Sequence, residues 1–285
     1  MLIKAMCLTL VLTCLAVPLR AIELTYPQKL STHDARSEFT LALLRLILSQ
    51  SESQVILRPS KLTATQERTL LMLADHQLDI LWIGSSIQRE EDFRAIPIPL
   101  YKGLLGWRIM LLHAQNAEML KGLCSLQALR QFSVGLGGGW PEIPLFSDSG
   151  FTVHTTTTYD GLFQMLEKRR FDLFPRSIIE IWSELDSFAS PHLVADPYVI
   201  VRYPAANYFF VNKDNEALAQ LIERNFYKIL KDGQYQSLFD SMLGPLISRS
   251  QLDKRCIIDI PNRFFQASGE NIFQLPEPHT GVPAP

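Results

Sequence analysis

A chain of 285 residues, 47% hydrophobic and 20% charged, is long enough for about two domains with sizeable cores. Its formal net charge of −2 and sequence pI near 6.3 leave no broad basic field, which argues against nucleic acid as a partner.

The N-terminus has the pattern of an export signal. Lys4 precedes the nearly unbroken apolar run Ala5 to Val17, and Ala21 is the expected cleavage point. The run is shorter than the roughly 20 residues a membrane-spanning helix needs. VLTC, ending at Cys14, lacks the small residues of a lipid-attachment site. Residues 1–21 are therefore read as a signal peptide and the mature chain as periplasmic. Cys7 and Cys14 leave with the signal, and Cys124 and Cys256 remain. Export permits a disulfide, but geometry decides it. Two residues so distant in sequence are expected to be unpaired buried thiols.

In chain order, Ile22 to Tyr26 reads as a strand stopped by Pro27. Ser37 opens a helix with Phe39, Ala42, Leu43, Leu46 and Ile47 on one face. Gln54 to Leu57 is a second strand. Gln66 to Leu73 is a helix with Leu70, Leu71 and Leu73 expected inside. Leu78 to Ile83 is a third strand, running into Gly84, Ser85 and Ser86. Two prolines, Pro97 and Pro99, then hold the chain extended. Leu104 to Leu112 suits a strand crossing to a second lobe.

That second lobe repeats the β-α-β-α-β order. Phe132 to Leu136 is a strand leading into Gly137, Gly138, Gly139 and Trp140. A helical segment lies around Leu145, and Phe151 to Thr155 is the next strand. A helix follows with Tyr159, Leu162, Phe163 and Leu166 at helical spacing. The third strand, Phe171 to Phe174, reaches Pro175, Arg176 and Ser177. A return crossing fits Pro197 to Ala206. Asn207 to Val211 is then a strand, Asn215 to Leu230 a helix, and Tyr235 to Met242 a last helix. The expected organisation is α/β with two lobes, each a mostly parallel sheet flanked by helices, joined by two crossing strands. Lobe I takes residues 22–103 and 205–260, lobe II 104–204, and 261–285 is a Pro-rich tail.

Ligands of such lobes sit beyond the carboxyl ends of the strands. Those ends carry Tyr26, Arg89, the glycine loop with Gly138, Gly139 and Trp140, and Arg176 beside Ser177. A dinucleotide fingerprint does not fit. With Gly135 and Gly137 as the first two glycines, Trp140 occupies the place of the third. The loop reads instead as a backbone donor set for an anion or as a plain tight turn. Arg89 and Arg176, one per lobe, suit a carboxylate. Pairing of Arg176 with Glu180 is the competing reading. Tyr26, Trp107 and Trp140 could form a stacking wall, with Trp107 better suited to the core. No GxSxG, HExxH or CxxC pattern occurs. No metal or cofactor is implied.

Four stretches in order resemble the type 2 periplasmic solute-binding proteins, the family 3 group that includes polar amino-acid receptors. They are DILWIGSSIQRE, FSVGLGGGWPE, YDGLFQMLEKRRFDLFP and NYFFVNKDNEALAQLIERNFYKILKDGQYQSLF. KGLLGWR and RFDLFPRSIIEIWSEL look like an uncharacterised Gram-negative branch. The resemblance implies a periplasmic-binding-protein-like II fold and a ligand cleft whose first lobe uses Ser85 and Ser86. It implies a monomer that delivers a small polar solute to an ABC-type permease. Two departures stand out. The arginine that grips an α-carboxylate in this group aligns with Glu91, two residues after Arg89. The acid that holds the α-ammonium is replaced by Ser177. An anionic or amino-acid-like solute is therefore expected, with Arg89 and Arg176 holding its anionic group. A sensory module for a separate membrane receptor is the alternative. An enzyme of the dehydratase type is a further one, and it would have to rely on His33 or Glu142.

Overall fold

A computed structural model of the chain describes residues 22–29 and 37–266. The signal, His33 and most of the tail lie outside the described residues. The first lobe begins with β1 (Ile22–Tyr26), α1 (Ser37–Leu48) and β2 (Val55–Pro59). β1 and β2 pair in parallel, from Ile22 against Val55 to Tyr26 against Pro59. α1 buries Phe39, Leu43, Leu44 and Ile47, a spacing that puts one stripe inward. α2 (Gln66–Ala74) follows, with the Thr65 side chain accepting the Arg68 N–H at its start. It turns Thr69, Met72 and Leu73 inward, whereas Leu71 is exposed, contrary to the expected stripe. Leu71 lies one residue off the 69–72–73 face, and the helix is too short for a second apolar stripe to find cover.

β3 (Leu81–Gly84), α3 (Ile87–Asp92) and β4 (Arg94–Ile96) complete the outward path. The chain then makes a short 3-10 turn over Leu104–Gly106, so β5 (Trp107–His113) starts later than the expected Leu104. In the second lobe come α4 (Leu126–Leu129), β6 (Val134–Gly137), α5 (Glu142–Asp148), β7 (Val153–Thr156) and α6 (Tyr159–Glu167). β8 (Phe174–Ser177), α7 (Ile181–Phe188) and β9 (Leu193–Arg202) end it. The third strand is thus shifted from Phe171–Phe174 to Phe174–Ser177. Leu173 only touches β6, through a single bridge to Val134, and the chain then moves to the edge of β5. That edge tolerates Pro175, which has no N–H to offer a further strand.

Parallel pairing holds for β1 with β2 and β6 with β7. The antiparallel pairs all involve β5 or β10 (Asn207–Val211), the strands through which the chain leaves and re-enters the first lobe. β10 runs between β3 and β4. β5 and β9 lie side by side, with a register shift between Ile109 and Leu111. Asp196 and Pro197 fall in the shifted stretch. The Asp196 carboxylate accepts the Val199 N–H there, which stabilises a local turn.

α8 (Glu216–Lys231) packs against α1, and α9 (Gln234–Arg249) packs against both. α9 runs well past the expected Met242 and contains Pro245. Its far end reaches the second lobe. Arg249 pairs with Asp186 of α7 at 2.7 Å, and Trp182 Nε1 donates to Ser250 Oγ at 2.8 Å. β11 (Cys256–Asp259) then pairs in parallel with β9. β11 falls within residues 205–260, yet it belongs to the sheet of β9, β5 and β8. The chain therefore passes between the lobes three times.

Cys124 and Cys256 form a disulfide, with their Cα atoms 5.7 Å apart across 132 residues of sequence. This corrects the expectation of two free thiols. The pairing depends on β11 returning to the second lobe, which local sequence patterns do not encode. Closing so long a loop should contribute about 2–4 kcal/mol through the unfolded state. The double variant Cys124→Ser/Cys256→Ser should lose that amount in denaturant unfolding, and wild-type protein in excess reductant should lose the same. An unchanged midpoint in both would show that the strap is held by its other contacts alone.

Candidate functional site

A cavity of about 190 Å³ lies between the lobes. Phe39 of α1, Trp82 of β3 and Tyr101 give it an aromatic side. Met242, Leu243 and Leu246 of α9 add an apolar flank. The second lobe supplies Trp140, Arg108, Glu142, Arg176 and Glu180, and Gln66 and Asn207 face in from the first.

The charged floor is an interlocked set. Arg108 is a lone cation in an otherwise apolar strand and is buried. Its Nη2 donates to Glu142 Oε1 at 2.7 Å and its Nη1 to Glu180 Oε2 at 3.3 Å. Arg176 is 1% exposed. Its Nε and Nη2 grip both oxygens of Glu184 at 2.7 and 2.5 Å, and Nη2 also lies 3.0 Å from Glu180. Tyr159 donates its hydroxyl to Glu184 at 2.6 Å. Trp140 and Phe174 lie against the Arg176 guanidinium at 5.2 and 4.9 Å, a cation–π arrangement. Burial works against the charge of both arginines. Glu180 and Glu184 outweigh it at Arg176, whose guanidinium is held well above its ordinary pKa. At Arg108 the carboxylates of Glu142 and Glu180 outweigh burial and raise the pKa, and the Tyr203 ring lies 5.5 Å from the guanidinium. Tyr203 itself is pushed upward by burial, so it stays a neutral phenol.

The structure brings only some of the sequence-derived residues to the cavity. Trp140 and Arg176 line it. Tyr26 stands one layer back, stacked on Trp82 with ring centroids 5.8 Å apart. Ser85 donates to Glu90 at 2.5 Å and faces a smaller neighbouring hollow. Ser86 caps α3 by accepting the Arg89 N–H. Ser177 is fully buried and donates to the Leu104 carbonyl at 2.8 Å.

Arg89 spends its guanidinium on backbone. It donates to the Gly84 carbonyl at 2.6 Å, the Gly139 carbonyl at 3.1 Å and Gln66 at 3.3 Å. Burial pulls its pKa below the usual value, with Glu142 and Glu67 opposing the shift. It thus pins the end of β3 to the glycine loop of the other lobe. The glycine loop is a turn. Gly138 gives its N–H to the Thr156 carbonyl at 2.8 Å. Gly139 has φ of 76°, and a Cβ there would come within 2.7 Å of Glu67. A Cβ on Gly137 would strike the Trp140 indole at 2.3 Å, which is why Trp140 can fold back onto the strand end.

Sequence reasoning missed Phe39, Trp82, Arg108 and Glu180 as cavity residues. The signal for Arg108 was present: one charge within WRIMLLH is unusual for a buried strand and asks for a partner.

No family model matches the chain, and no curated protein matches it. Solved structures do. An arginine-specific periplasmic binding protein of Salmonella typhimurium is 16% identical, with a TM-score of 0.58 over 78% of this chain and 99% of that one. A histidine kinase sensor domain similar to periplasmic binding proteins is 14% identical, with a TM-score of 0.60 over 79% and 96%. An ancestral amino-acid-binding protein, a precursor of cyclohexadienyl dehydratase, is 14% identical, with a TM-score of 0.57 over 78% and 95%. The fold is the two-lobed fold of these periplasmic binding proteins.

Arg176→Ala would leave Glu184 buried and Glu180 short of a partner. Unliganded stability should fall by about 3–5 kcal/mol, the usual cost of breaking a buried pair, and Glu184→Ala should cost the same. Tyr159→Phe removes one hydrogen bond and should cost only about 1–2 kcal/mol. Chemical denaturation of the three variants checks this ranking. Native-like stability of Arg176→Ala would show that the pair is not structural.

Proposed function

We propose that this chain is an exported binding protein that closes two lobes on a small, polar, amino-acid-like solute and presents it to an ABC-type importer. The observation that carries this is the cleft between the lobes, lined from both by aromatic side chains and by a fixed polar floor. Such a site grips a solute without needing a reactive group. The likeness to substrate-binding proteins of amino-acid importers supports the same reading.

In this reading residues 1–21 are removed on export and the mature protein works as a periplasmic monomer. Residues 22–103 and 205–260 form lobe I, with β11 tied back to lobe II, 104–204. The tail is 261–285. Trp140 belongs to the contact surface, with Phe39, Trp82 and Glu142, and Arg176 supports it from beneath. Tyr26, Ser85, Ser86, Arg89, Gly138, Gly139 and Ser177 hold that surface in place. No helix among the described residues is long and apolar enough to cross a membrane, so transport would require a separate permease.

A sensory role is the second reading, favoured by the equally good match to a kinase sensor domain. Catalysis is placed behind both. The cavity's arginines are committed to ion pairs, and the dehydratase relation comes through an ancestral binding protein.

A thermal-shift screen of the mature protein across amino acids, amines, dicarboxylates and sugar acids should find a stabilising solute. At about 100 times its Kd that solute adds roughly 2.7 kcal/mol. Trp82→Ala should then weaken it by about tenfold or more, roughly 1.4 kcal/mol. Small-angle scattering should show a smaller radius of gyration on binding. A stabilising solute with no compaction would sink the closure model. Copurification with a permease rather than a kinase would separate transport from sensing.

A further inference from the structure

We infer that the solute this cavity selects is a cation, carrying an amine or guanidinium group that seats on Glu142, and that it needs no carboxylate. The inference rests on the binding reading above and replaces the anionic solute expected from Arg89 and Arg176.

Charge in the floor is the first argument. Arg108 and Arg176 meet three carboxylates, those of Glu142, Glu180 and Glu184. By formal charge these two arginines and three carboxylates sum to −1. Most donors that an anion would need are already taken or out of reach. Both terminal nitrogens of Arg108 donate to carboxylates, and its Nε is buried without an acceptor. Arg176 is clamped on Glu184 and is almost inaccessible. Arg89 does not line the cavity and donates to two carbonyls and a side-chain amide. Lys29, at the rim, is exposed and paired with Glu38. Among the described residues, no cation on the cavity wall is left uncommitted.

Acceptors, by contrast, are left over. Glu142 uses Oε1 for Arg108, while its Oε2 accepts no hydrogen bond from a described residue. Its side chain is 12% exposed on the cavity wall. Asn207, which also lines the cavity, buries its Oδ1 with no donor. An ammonium or guanidinium supplies donors for both and offsets the excess charge. The aromatic side chains Phe39, Trp82 and Tyr101 on the wall are compatible with a cation, which any ring face turned to the cavity would attract. Among the described residues, no uncommitted cation on this wall is available to an α-carboxylate, so a solute lacking one should bind as well.

The test is calorimetric titration of the mature protein with L-arginine, agmatine, putrescine, L-glutamate and succinate. Agmatine carries the arginine side chain without the carboxylate. The expected result is binding of agmatine within about tenfold of L-arginine, with no heat from glutamate or succinate. Glu142→Gln keeps an oxygen for Arg108 but removes the charge. It should weaken agmatine at least about tenfold, with a melting temperature close to that of the wild type. Binding of succinate or glutamate in preference to the cations would overturn the inference and leave the binding reading intact. Binding of arginine but not agmatine would overturn it too, by showing that a carboxylate is required. An unaltered agmatine affinity in Glu142→Gln would remove Glu142 as the seat. If none of the five probes binds, the inference falls, and the binding reading stands or falls separately on the wider solute screen.

Discussion

Two buried arginines on neighbouring strands set the terms for the rest of the cleft. A guanidinium at the floor of a lobe costs several kcal/mol to desolvate unless every exposed nitrogen finds an acceptor. Arg108 and Arg176 approach that condition by sharing Glu180, and each adds a private carboxylate, Glu142 or Glu184, while the buried Nε of Arg108 stays without an acceptor. The acids come from two different elements, the first turn of α5 and the turn and first residues of α7. The ion-pair set therefore fixes the positions of both helices relative to β5 and β8. It also fixes Trp140, whose indole lies over Arg176 and fills the space left by Gly137. Hydrophobic packing would have given comparable stability at this place. What the charges add is a floor of defined polarity.

The same economy explains why the obvious sequence features turned out to be supports. Ser85, Ser86 and Arg89 follow a strand end, where a ligand would be expected. Their polar groups go to Glu90, to the α3 N-terminus and to the carbonyls of Gly84 and Gly139. A strand end facing an interlobe gap has orphaned backbone groups of its own, and these claim the nearest donors first. Arg89 then acts as a pin between lobes.

Periodicity made the elements legible, and little else did. The α1 stripe of Phe39, Leu43 and Ile47 and the α6 stripe of Tyr159, Leu162, Phe163 and Leu166 can be read directly, because one face of each meets a core. Leu71 misled, since a nine-residue helix offers too few turns to separate two faces. β8 was misplaced because Phe171 and Leu173 look more strand-like than Pro175 and Arg176, although the latter pair with β5. The aromatic wall could not be read at all. Phe39 and Trp82 come to one cavity only through the tertiary arrangement, and sequence cannot tell a core aromatic from one facing a gap. Cys124 and Cys256 belong to the same class, brought together by a late return of the chain.

That return bears on how the lobes can move. Two side-by-side strands can flex together like a door on paired pins, leaving the opposite lip of the cleft unrestrained. Here α9 spans the gap as well. It is anchored on α1 and α8 at one end, and on Asp186 and Trp182 at the other. Beyond it, β11 is riveted to the second lobe by the disulfide. Opening must then stretch or bend a third tether, and the Gly244–Pro245 step is the place in α9 with the least backbone hydrogen bonding to lose. Three tethers between the lobes would restrict any closure more than two would.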